Sequence, residues 1–110
     1  MLFRSNRAKE LIFSARRIRA AEALDLGLVN HVVPRAELLP TAIERGQEIM
    51  KNSPFAVRQA KWAIDQGSDL PFEDGLQREH EAYMRAIASE DRREGIAAFN
   101  ERRPPQFSGR

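Results

Sequence analysis

Few residues in this 110-residue chain could do chemistry, and their spacing settles most cases. Neither histidine, His31 or His80, has a second metal ligand one helical turn away, as a helix-borne zinc pair requires. There is no cysteine, which removes thiolate sites and disulfides and leaves the redox compartment open. Ser14, Ser53, Ser68, Ser89 and Ser108 fall at caps or turns, and none lies in a G-x-S-x-G elbow. The acid pairs Glu79/Glu81 and Glu90/Asp91 diverge around a helix instead of converging on one substrate atom, so a surface role is expected for each. The six glycines are scattered at helix ends and form no phosphate loop. Residue chemistry alone therefore shows no active site.

The basic end is the exception. Arg102 and Arg103, followed by Pro104 and Pro105, place two guanidinium groups where the chain leaves a helix stiffly. The guanidinium fork suits phosphate recognition. The competing reading is that both arginines complement the negative end of the helix dipole, at about 0.3–1 kcal/mol each. A second basic cluster, Arg16-Arg17-Arg19, is flanked by Glu10 and Glu22 and reads as solvated surface. With 18 basic against 16 acidic residues and a net charge of +2, no segregated positive face points to nucleic acid.

The elements that must position these residues are almost all helical. Asn6 is expected to cap a first helix carrying Ala8, Leu11, Ile12 and Ala15. A short helix over about 20–26 should stop at Gly27. LVNHVV, residues 28–33, is the one strand candidate, with His31 in it or in a turn. Leu39, Ile43, Gly46, Ile49 and Met50 form the stripe of a third helix, with Pro40 in its first turn. Ser53-Pro54 is a cap and first position for a helix ending at Gly67. A long helix from about 71 to 88 carries Phe72, Leu76, His80, Tyr83 and Ile87 along one face, with His80 expected half-buried. Ser89 caps the last helix, which has Glu90 and Asp91 in its first turn and Arg102 and Arg103 in its last.

Length allows one domain at most, and 42% hydrophobic with 31% charged residues fits an ordinary globular class. No apolar run approaches the roughly 20 residues a membrane-spanning helix needs. No secretory pattern is visible, and the expected location is cytoplasmic.

Three stretches taken together resemble the C-terminal part of the enoyl-CoA hydratase/isomerase (crotonase) family. They are AKELIFSARRIRAAEALDLGLVNHVVP (8–34), NSPFAVRQAKWAID (52–65) and SEDRREGIAAFNERRPPQFSGR (89–110). The FSAR wording, with alanine at position 15 where many members have glycine, looks closest to the methylglutaconyl-CoA hydratase-like branch. The resemblance implies a mainly α fold, the helical trimerisation region of a crotonase-like enzyme whose α/β spiral core lies upstream. It also implies acyl-CoA thioester chemistry without metal or redox cofactor, in a homotrimer or hexamer. In that family two backbone N–H groups polarise the thioester carbonyl and two glutamates add water as general acid and base. Those segments precede everything present here, so no catalytic residue is assigned. Arg102 matches a position near the CoA phosphates, and Tyr83 an aromatic position that reaches toward the acyl-CoA site. Phe99 and Phe107 are expected to pack.

The opening MLFRS, residues 1–5, matches nothing in the family at that point and can be encoded by a common sequencing-adapter end. It is expected to be a non-native start on a truncated gene, with residues 6–110 forming the crotonase-like region. The alternative is a stand-alone helical self-association module without catalysis.

Overall fold

The structure, a computed structural model, describes residues 5–110. The MLFRS segment therefore lies outside the described residues, except for Ser5. Among the described residues six α-helices follow one another: α1 (Ser5–Ser14), α2 (Ala20–Asp25), α3 (Leu38–Met50), α4 (Pro54–Gly67), α5 (Phe72–Ala88) and α6 (Glu90–Glu101). A 3-10 turn, Arg35–Glu37, precedes α3.

Among the described residues there is no strand, and the 28–33 candidate is irregular chain. Val29, Val32 and Val33 have the right side chains, but an extended segment needs another edge to bond its backbone. No second extended segment pairs with it. Nor is Asn6 a cap, because α1 already includes it. The chain divides into two compact units, the second beginning at Ile43 within α3.

In the first unit, backbone conformation ends both helices. Ala15 stops α1 at φ 47°, in the left-handed region that favours glycine. Gly27 stops α2 at φ 75°, with the Leu28 N–H reaching back to the Ala23 carbonyl at 2.8 Å. Arg16 pairs with Glu22 at 2.7 Å, which ties one member of the basic cluster to an acid beside it.

The second unit is organised around α4 and α5, which run antiparallel. Ser53 caps α4 by accepting the Ala56 N–H at 3.0 Å, with Pro54 at the first helical position, as the sequence predicts. Where the C-terminal end of α4 meets the start of α5, two glycines let the backbones touch. A Cβ on Gly75 would stand 3.1 Å from the Gly67 carbonyl oxygen. At the other end of the pair, the Arg85 guanidinium lies over the Trp62 ring, 4.5 Å from its centroid. One residue, Ser89, joins α5 to α6; its hydroxyl accepts the Arg92 N–H at 3.1 Å and donates to the Ala86 carbonyl. Among the described residues only Ala82, Ser89, Asp91 and Ala98 are buried. Phe13, Met50, Phe72 and Phe99 are 78–83% exposed, so the apolar stripes of these helices find little within the chain to cover them.

Candidate functional site

α6 and the segment after it hold the site. Helix α6 ends in a closure built from backbone: the Arg103 N–H reaches the Ala98 carbonyl at 3.0 Å and the Arg102 N–H reaches Phe99 at 3.2 Å. The residue that allows this is Arg102, left-handed at φ 55°, ψ 38°. Glycine ordinarily occupies such a position, and a side chain there costs about 1–2 kcal/mol. The sequence places both arginines in the last helical turn. In the structure Arg102 is the cap and Arg103 lies beyond it.

The two arginines then do different things. Arg103 folds back on α6, bonding Glu94 through both terminal nitrogens (2.5 and 3.0 Å) and Glu101 through Nε (2.6 Å). Those two carboxylates raise the Arg103 pKa. In turn the Arg103 hydrogen bond, together with the Gln106 N–H at 2.7 Å, holds the Glu94 carboxyl at about 2 against its burial. Arg103 is committed to structure. Arg102 is exposed and makes no ion pair among the described residues.

Asp91 corrects an expectation. It reads as a surface acid, yet it is 1% exposed. The Ser53 hydroxyl donates to it at 2.7 Å, the Ser108 N–H at 2.7 Å and the Gly109 N–H at 2.9 Å. Burial pushes its carboxyl up, but the Ser53 hydroxyl and the N–H groups of Gly109, Ser108 and Phe55 outweigh that and hold it at about 2. A carboxylate so fully engaged makes a poor general base at neutral pH; its work is to hold backbone. No local spacing announces this, because its partners stand 17, 18 and 38 positions away.

Tyr83, on α5, is 60% exposed and lines an apolar groove with Ile87, Ile96, Phe99 and Phe107. Phe107 lies over Gly95, 3.6 Å from where a Cβ would stand. Arg102 does not line this groove, so the two residues singled out by resemblance occupy separate places. His80 is exposed on α5, not half-buried, and His31 lies in irregular chain. Among the described residues no group of three or more metal-ligating side chains comes together, and no helix is long and apolar enough to cross a membrane.

Comparison with known proteins supplies what the site alone does not. Residues 4–110 match the sequence profile of the family described as enoyl-CoA hydratase/isomerase. The chain belongs to that family. It is 45% identical over 107 residues to the mitochondrial enoyl-CoA hydratase domain-containing protein 2 of Mus musculus, covering 94% of this chain and 36% of that protein. It is 40% identical over 106 residues to the mitochondrial methylglutaconyl-CoA hydratase of the same organism, covering 93% and 34%. The solved enoyl-CoA hydratase of Bacillus anthracis superimposes with a TM-score of 0.93 at 47% identity, over 99% of this chain and 42% of that one. The chain thus spans about two-fifths of the length of such relatives. Its fold is the C-terminal helical part of the crotonase fold, as the resemblance implies.

Proposed function

We propose that this chain is the C-terminal helical part of an enzyme acting on acyl-CoA thioesters, with hydration of a 2-enoyl-CoA, methylglutaconyl-CoA-like substrates included, as its reaction. In this reading the chain does no chemistry alone and works within a homotrimer or hexamer in the cytoplasm. Its contribution is to binding. Arg102 meets the CoA phosphates, and Tyr83 lies along the acyl-CoA site.

The observation that carries the binding role is the division of labour between Arg102 and Arg103. Glu94 and Glu101 occupy Arg103, while Arg102 stands exposed at the helix end with no acid on it. An unpaired guanidinium takes a phosphate without first breaking an ion pair. The test is a graft in which residues 6–110 replace the corresponding part of the Bacillus anthracis hydratase. Arg102→Ala in that graft should raise KM for the enoyl thioester by roughly tenfold, about 1.4 kcal/mol, with kcat little changed. An unchanged KM would remove the phosphate role.

The exposed apolar faces support a second reading, a helical module that associates with itself without catalysis. Phe13, Met50, Phe72 and Phe99 offer the surface for it. Turnover by the graft decides for the first reading; concentration-dependent assembly of the chain together with an inactive graft decides for the second.

A further inference from the structure

We propose that residues 103–110 form a latched strap that opens and closes separately from the helices, fastened by Asp91 and Glu94 and forming one wall of the Tyr83 groove. This does not depend on the acyl-CoA reading.

The strap leaves α6 at Arg102 and runs back beside the helix it has just left. Asp91 and Glu94, three positions apart, face the same side of α6. They accept the strap's N–H groups in reverse order: Gln106 on Glu94, then Ser108 and Gly109 on Asp91. At its far end the Arg110 backbone oxygen accepts the Asp91 N–H at 2.8 Å, satisfying a donor that the first turn of α6 leaves open. The Arg58 guanidinium donates to the Gly109 carbonyl at 2.6 Å.

Residues 104–110 have no secondary structure of their own, so these fastenings carry the strap. Pro104 and Pro105 stiffen its beginning and confine the hinge to Arg102 and Arg103. Phe107 is its apolar anchor, seated on Gly95 because no side chain intervenes there. The α4–α5 pair, by contrast, closes through Gly67 against Gly75 and through Arg85 over Trp62. Opening therefore breaks the bonds to Glu94, Asp91 and Arg58 and leaves the Gly67–Gly75 and Arg85–Trp62 contacts in place, the pattern of a separately cooperative segment. When the strap lifts, Phe107 leaves and the groove lined by Tyr83, Ile87, Ile96 and Phe99 loses a wall. The ionisable groups around the Asp91 clasp are Arg58 from α4, Tyr83 from α5, Glu90 and Arg92 from α6 and Arg110 from the strap itself.

Amide hydrogen exchange on the full chain tests this, comparing wild type with Asp91→Asn and Glu94→Gln. In the wild type the Gln106, Ser108 and Gly109 amides should be protected. Asp91→Asn should speed exchange at Ser108 and Gly109 by at least about tenfold, and by clearly more than at the α4 and α5 amides, which feel only the loss of the Ser53 bond. Glu94→Gln should do the same at Gln106. Wild-type strap amides exchanging like free peptide would overturn the proposal, as would variants with unchanged protection. Equal acceleration through α5 would also overturn it, since Asp91 would then be a brace for the whole unit.

Discussion

The Ser53 hydroxyl donates a 2.7 Å hydrogen bond to Asp91, joining the start of α4 to the start of α6 across 38 positions of chain. The same oxygen accepts the Ala56 N–H and so caps α4. One side chain thus sets a helix boundary and fills one of the bonds of a buried carboxylate.

Ser53→Ala removes both functions. The lost cap and the unfilled acceptor together should destabilise the second unit by about 1–3 kcal/mol. Ser108→Ala, which keeps the N–H that bonds Asp91, should cost far less. Urea unfolding followed by the Trp62 fluorescence of each variant checks the difference.

Acid should act through Asp91 and Glu94. Both are held at about 2, below their ordinary 3.8 and 4.5. A lowered pKa means the native state favours the charged form. Its contribution is complete above the ordinary values and drains away as pH falls through them toward about 2. Stability and strap protection should therefore be flat near neutrality and fall across that window. A titration of amide exchange at Gln106, Ser108 and Gly109 reads it directly.

Among the described residues, two non-glycine residues sit in the left-handed region, Ala15 at φ 47° and Arg102 at φ 55°. Glycine at either position should raise stability by up to about 1 kcal/mol, because it removes the strain of a Cβ there. The two substitutions should separate in function: Ala15→Gly leaves thioester binding by the graft untouched, and Arg102→Gly weakens it. Thermal melting paired with KM for each variant makes the comparison.

Gly75 and Gly46 should respond in opposite directions to alanine. At Gly75 the added Cβ meets the Gly67 carbonyl at 3.1 Å, and the α4–α5 crossing must widen, at about 1–3 kcal/mol. At Gly46, within α3, nothing lies within 4 Å, and alanine should stabilise by about 0.5–1 kcal/mol. Chemical denaturation of both variants checks the signs.

Local signals in the sequence recover the helices well. Ser53-Pro54, Gly27 and Ser89 each set a boundary through chemistry contained within a few residues, so the boundaries fall where the residues say. What escapes is the part made by distance along the chain. Asp91 looks like one of two acids in a first helical turn, and only folding brings Ser53, Ser108 and Gly109 onto it. Arg102 and Arg103 look equivalent until the left-handed cap turns one outward and the other back onto Glu94. The valines at 29, 32 and 33 suggest a strand, but strand formation requires a neighbouring edge that no local pattern can supply.

The central claim is that this helical part serves acyl-CoA chemistry only when joined to a catalytic core. The most direct measurement is hydration of an enoyl-CoA thioester by three samples: this chain, the Bacillus anthracis hydratase cut at the corresponding point, and the graft of one onto the other. The account predicts turnover by the graft and none by either part. Turnover by the chain alone, or a folded graft that binds no thioester, would contradict it.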